Sequence, residues 1–334
     1  MLKLGILDQS PVLPGMTAAD AMRSTIELAR EAERLGFTRF WVSEHHDSPG
    51  LAGSAPEVLI AAIAAHTSRI RVGSGGVMLS HYSPYKVAEQ FRVLEALYPN
   101  RIDLGVGRAP GGMPLASMAL RYGKPGNRQE RFNESLELLG GFLGGGFPEG
   151  HEYAELRTMP EIGTRPEVWL LGSSEVSAAM AARLGAPFSF AHFINWEGGQ
   201  GVVRDYRASF QPGPFGSEPR ANAAVSVLCA ETDEEAERLA APIDIAFLLM
   251  EKEGGRRRLP APEEALAYPL TNEDRERIRT FRGRYITGGP GKVKAALEEF
   301  AGSYGVDELV VTTMGRIEDR VKSYRLLAEH VMNR

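Results

Sequence analysis

Seven short clusters of polar, small or ionisable residues follow apolar runs in this chain. They are Asp8-Gln9-Ser10, Glu44-His45-His46, Ser74-Gly75-Gly76, Gly107-Arg108, Gly172-Ser173-Ser174, His192-Phe193-Ile194-Asn195 and Thr312-Thr313-Met314. Two kinds of chemistry suit them. Gly172-Ser173-Ser174 opens a helical stretch, where unpaired N–H groups, the positive end of the helix dipole and two hydroxyls favour an anion such as a phosphate. Ser177 lies one turn on, so its hydroxyl and that of Ser174 face the same ligand, and Arg108 is placed to neutralise it. Plain N-capping by Ser173 or Ser174, and a rim ion pair for Arg108, account for the same residues equally well. The second chemistry is metal binding, with His45, His81 and His192 as candidate ligands. The first strand ends in Asp8-Gln9 without a histidine pair and no HExxH occurs, so no metal is expected.

The glycine motifs complete neither a dinucleotide fingerprint nor a phosphate loop. Gly73-Ser74-Gly75-Gly76 and Gly105-Val106-Gly107 begin like a dinucleotide fingerprint, but Met78 and Pro110 stand where glycine would complete it. Gly288-Gly289-Pro290-Gly291-Lys292 begins like a phosphate loop, but Val293 replaces its Ser/Thr and the segment starts a helix instead. Gly75 and Gly76 suit close backbone approach by a flat ligand.

The elements that must position these clusters alternate. Strands are expected at Leu4–Asp8, Phe40–Val42, Ile70–Gly73, Arg101–Val106, Val168–Leu171, Phe188–Ala191, Val225–Leu228 and Glu308–Thr312. Between them lie helical patterns at 17–35, with Thr17 as N-cap and Gly36 beyond the last turn, and at 56–66, 85–97, 175–184 and 317–332. Eight strands alternating with helices indicate an α/β fold, a (β/α)8 TIM barrel; the alternative is an open doubly wound sheet. In such a barrel function collects at the carboxyl ends of the strands, where the seven clusters fall. Residues 109–166 and 232–290 break the rhythm. They read as insertions after the fourth and seventh strands, lying over the mouth of one domain that spans 1–334. The basic knot Arg256-Arg257-Arg258 sits among acidic residues and reads as a solvated loop.

The chain has 334 residues, 38 basic and 43 acidic side chains and a net charge of −5, which disfavours a nucleic-acid partner. No apolar run is long enough for a membrane span, and the N-terminal segment lacks a signal-peptide layout. The single cysteine, Cys229, excludes a disulfide framework and fits a reducing cytoplasm.

Taken together, Glu44-His45-His46, Gly73-Ser74-Gly75-Gly76-Val77-Met78-Leu79, Arg101 through Gly111, Leu170-Leu171-Gly172-Ser173-Ser174 and Ala181 through Pro187 resemble the bacterial luciferase-like flavin monooxygenase family, in order and over nearly the whole chain. The resemblance implies a barrel that binds reduced FMN at its carboxyl end. It implies that Gly172, Ser173, Ser174, Ser177 and Arg108 hold the phosphate, that Gly75-Gly76 is a cis peptide beside the flavin ring, and that His45 is the catalytic acid/base. Gly107 stands where the luciferase α chain has a reactive cysteine, which argues against close identity with luciferase. A separate flavin reductase would supply reduced FMN, and O2 would react through a C4a-(hydro)peroxyflavin. Phe193, Asn195 and Met314 are expected to meet a small-molecule substrate, with Trp196, Met113 and Tyr122 as further wall candidates. The resemblance also implies a homodimer built on the helices after the second and third strands. Alternatives are an enzyme that uses the deazaflavin F420 for hydride transfer, a non-catalytic flavin-binding protein and a metallohydrolase.

Overall fold

The computed structural model of the chain describes residues 2–121, 128–253 and 259–332; Tyr122 and the knot Arg256-Arg257-Arg258 lie outside them. In chain order the first half contains β1 (Lys3–Asp8), α1 (Ala18–Leu35), β2 (Arg39–Val42), α2 (Pro56–Ala65), β3 (Arg71–Ser74), β4 (Val77–Met78), α3 (Pro84–Leu97), β5 (Ile102–Gly107), α4 (Pro114–Arg121) and α5 (Arg128–Gly144). The second half contains β6 (Glu167–Gly172), α6 (Glu175–Arg183), β7 (Phe188–Ala191), α7 (Gly199–Ser209), β8 (Ala221–Cys229), α8 (Asp233–Glu253), α9 (Pro262–Ala267), α10 (Asn272–Phe281), β9 (Tyr285–Gly288), α11 (Pro290–Tyr304), β10 (Glu308–Thr312) and α12 (Ile317–His330).

All pairings between these strands are parallel, and the path β1-β2-β3-β5-β6-β7-β8-β10 closes because β10 pairs with β1. This is a closed eight-stranded (β/α)8 barrel, built from the eight strands expected of the sequence. Two further strands were not legible. β4 is a two-residue continuation that takes over from β3 along β5, and β9 pairs with the carboxyl half of β8 after β10 has paired with its amino half. A two-residue strand carries no periodicity, and β9 follows a charged stretch that reads as helix.

Local sequence sets the helix ends. Thr17 Oγ1 accepts from Asp20 N–H at 3.1 Å, Asp20 accepts from Thr17 N–H at 3.0 Å, and Gly36 takes the left-handed conformation (φ 86°). Strand alternation sorts side chains into two cores. Phe40 and Val42 join Leu4, Ile6, Ile102 and Leu104 in the layer between strands and helices, whereas Trp41, Leu7, Trp169 and Val310 fill the barrel interior. α5 sends Phe132, Leu136, Leu139 and Phe142 into the outer layer. Among the described residues, no helix is long and apolar enough to cross a membrane.

The amino end of the barrel is shut by charge. Arg39 contacts Asp103 at 2.6 Å and Glu308 at 2.9 Å, Arg71 contacts Asp103 at 2.6 Å and Glu167 at 3.3 Å, and Arg220 contacts Glu167 at 2.7 Å. Trp41 Nε1 donates to the same Asp103 at 2.9 Å. Burial alone would lower the Arg39 guanidinium, but Asp103 and Glu308 outweigh it and hold its pKa well above the ordinary value.

Candidate active site

At the carboxyl end, β2 runs out into Ser43-Glu44-His45-His46, and the two histidines part company. His45 Nδ1 lies 3.0 Å from Ser43 Oγ, and its ring lines a cavity of about 400 Å3 over the barrel mouth. His46 turns aside to Glu44, 2.8 Å away. Glu44 is buried and saturated: it also accepts from Tyr82 OH at 2.7 Å and from Met78 N–H at 3.0 Å. Burial raises its carboxyl above the ordinary value, and those hydrogen bonds pull it part of the way back. Glu44 therefore ties the β2 loop to β4 and steadies the backbone beside His45.

The first strand end is likewise partly structural. Asp8 accepts from Ser10 N–H at 2.5 Å and from Arg320 of α12 at 2.7 Å, fully buried. Its neighbour Gln9 faces the cavity.

Gly75-Gly76 forms a cis peptide bond, and both glycines are tightly packed. A Cβ at Gly75 would lie 2.5 Å from Leu7 Cδ1, and one at Gly76 would lie 2.6 Å from the Gly105 carbonyl oxygen. Two residues further along β5 the situation reverses. A Cβ at Gly107 would meet no atom within 4 Å, so the inner face of the strand opens on space just before Arg108. At β6, Ser174 is the N-cap of α6, with its hydroxyl 3.2 Å from Ser177 Oγ. Gly172 is required there, since a Cβ would overlap Ser177 Oγ. Asn195 is exposed and donates to the Ser173 carbonyl at 3.0 Å, joining the loops after β6 and β7.

Phe193 and Met314 line the cavity together with His45. Asn195 and Trp196 are not on its wall, and Met113 is exposed. The wall also takes Ile243 and Phe247 from α8 and Arg284 from the turn before β9. Sequence reading missed these three because they sit in a stretch whose many charges resemble a solvated surface; only the i, i+4 spacing of Ile243 and Phe247 hinted at one buried face.

His192 is held at both ring nitrogens. Nε2 lies 3.1 Å from the Gly283 carbonyl, an obligate acceptor, so Nε2 carries the proton and Nδ1 accepts from Tyr304 OH at 2.9 Å. Burial lowers its pKa, which favours that neutral form. Among the described residues no three His, Cys, Asp or Glu side chains converge as a metal-binding group. Cys229 is buried, and burial pushes its thiol up to about 12.

The carboxyl end offers a largely apolar, partly open cavity with one imidazole on its wall, and it also carries the open face of Gly107 and the hydroxyl-rich N-terminus of α6. The luciferase-like monooxygenase family model matches residues 2–328. The chain is 42% identical over 336 residues to an N-acetyl-S-alkylcysteine monooxygenase of Bacillus subtilis (strain 168), covering 99% of both. The solved structure of apo-MsnO8 superposes with a TM-score of 0.90 at 43% identity, covering 99% of this chain and 98% of that one. The oxygenating constituent of 3,6-diketocamphane monooxygenase from Pseudomonas putida, a type II Baeyer-Villiger monooxygenase solved with FMN, shares the fold (TM-score 0.72, 21% identity, 99% and 97% covered).

Proposed function

The chain belongs to the luciferase-like monooxygenase family, and from that premise we propose that it is an FMN-dependent monooxygenase. It takes reduced FMN from a separate reductase and uses O2 to oxygenate a small organic substrate, returning oxidised FMN and water. The observation that carries the reading is the open inner face of Gly107. Elsewhere the barrel interior is filled by Trp41, Trp169 and Leu7, whereas a Cβ at Gly107 would meet no atom within 4 Å, which supports space there for part of a flat ring. Proteins of the same fold hold FMN or F420, which supports a flavin-type cofactor, and the monooxygenase relative favours the oxygen-using choice.

Bound reduced FMN supplies the oxygen activation. The chain's own residues do the rest. Ser174, Ser177 and the first-turn N–H groups of α6 would donate to the phosphate oxygens, with Ser173 beside them and Arg108 providing positive charge. Gly75, Gly76 and Gly172, where a Cβ would collide with Leu7, the Gly105 carbonyl and Ser177, let the backbone fold into the surface on which ring and phosphate would rest. His45, held by Ser43, moves a proton to or from the reacting oxygen or the substrate. The cavity walls from α8, Phe193 and Met314 exclude water, which gives the stretch after β8 the role of a lid. The homodimer would form on α2 and α3, where Val58, Val93 and Leu97 are exposed along a shared groove.

Oxygen uptake with a flavin reductase, FMN and a substrate panel led by thioethers tests this reading. Substrate-dependent uptake above background peroxide formation is expected. Oxygen-independent oxidation of reduced F420 would instead identify a hydride-transfer enzyme. Tight oxidised FMN without any substrate-dependent uptake would identify a flavin-binding protein.

A further inference from the structure

Arg284 stands out on the cavity wall. Among the described residues that line the space, it alone bears a fixed charge; its neighbours there include Ile243, Phe247, Leu259 and Met314. Its Cζ lies 4.1 Å from the Trp196 ring centroid, 5.4 Å from that of Phe247 and 5.7 Å from that of Phe281. A guanidinium is weakly hydrated and suits such an aromatic setting. No carboxylate of the described residues forms an ion pair with it; burial lowers its pKa, and the charge of Glu251 acts on it only from farther off. Asp244 is engaged by Arg282 at 2.7 Å and by Tyr285 OH, and Glu251 by Arg277 at 3.2 Å. Arg284 Nε is shielded from solvent and makes no hydrogen bond among the described residues.

The turn that carries this side chain is fixed in place. His192 Nε2 donates to the Gly283 carbonyl, and a Cβ at Gly283 would come within 2.7 Å of Trp196 Cδ1. The guanidinium is therefore pre-positioned, with donor groups to spare, over an otherwise apolar space. We propose that Arg284 anchors a carboxylate on an amphipathic substrate, whose apolar body fills the cavity towards His45. This rests on the oxygenase reading only for what happens next; the binding step stands without it. Two parallel N–H···O bonds from the planar guanidinium would fix the head group and so aim the far end of the molecule. The FMN phosphate is assigned to the α6 terminus instead, so Arg284 serves the substrate.

Calorimetric titration of the full chain, alone and with oxidised FMN, provides the test. The probes are octanoate and its neutral near-isostere octanamide. Octanoate is expected to bind about tenfold tighter than octanamide. In Arg284→Gln that preference should vanish while octanamide affinity stays within about twofold, and Arg284→Lys should retain part of it. FMN affinity should be the same in all three proteins. Equal binding of the two probes, no octanoate binding, or equal losses for both in Arg284→Gln would overturn the assignment and leave Arg284 as a prop for Trp196 and Phe247. Neither oxygen nor a reductase is involved, so selective octanoate binding without substrate-dependent oxygen uptake would retire the oxygenase reading and keep the anchor.

Discussion

The two ends of this barrel are built from the same kinds of residue and do opposite things. At the amino end Arg39, Arg71, Asp103, Glu167, Arg220 and Glu308 are linked in one run of ion pairs. Glycine there makes room for the plug: a Cβ at Gly5 would lie 2.5 Å from Arg39 Cγ, and one at Gly73 would overlap the Asp103 carbonyl oxygen. At the carboxyl end the arginine over the cavity has aromatic rings for company, and a Cβ at Gly107 would meet no atom within 4 Å. Closure at one end leaves the other free to stay open. The amino-end charges are paired with one another across five strands and the segment before β8, whereas Arg284 at the other end keeps an Nε that is unbonded among the described residues.

The comparison can be broken at either end. The largest effect is expected from Asp103→Ala, which strips a buried carboxylate from Arg39, Arg71 and Trp41. Leaving Arg39 buried without this partner should cost about 3–5 kcal/mol in chemical denaturation. A loss below about 1 kcal/mol, the range of an exposed pair, would mean the plug does not hold the barrel. Next comes His45→Ala at the open end. Coupled product formation should fall about a hundredfold or more, while FMN affinity and the unfolding midpoint hold. An unchanged coupled rate would remove His45 from the chemistry. The smallest effect is expected from Arg108→Ala, which should weaken FMN about tenfold and riboflavin hardly at all. Equal losses for the two flavins would move the phosphate site elsewhere.

Much of this division was readable from residue order. In Arg39-Phe40-Trp41-Val42 and Ile102-Asp103-Leu104-Gly105-Val106-Gly107 the alternation already separates inward from outward positions. The strand-end clusters follow once eight strands are counted. Three things resisted. Which of His45 and His46 faces the cavity depends on Glu44, whose partners Tyr82 and Met78 lie more than thirty residues away. Asp8 is consumed by Arg320 from the far end of the chain. Arg284 belongs to a stretch dominated by charge, and its burial is created only when α8 and the Gly283 turn close around it. Local periodicity carries no record of such long-range pairings.

The central claim is that the carboxyl end, opened by Gly107, receives the flavin, while the amino end holds the fold. Titration of FMN into the wild-type protein and Gly107→Leu, with thermal unfolding of both in parallel, tests it most directly. The Cβ of the new side chain meets no atom within 4 Å. The expected result is an unchanged unfolding midpoint, FMN binding by the wild type and none by the variant. FMN binding of equal affinity in a folded Gly107→Leu protein would contradict the account.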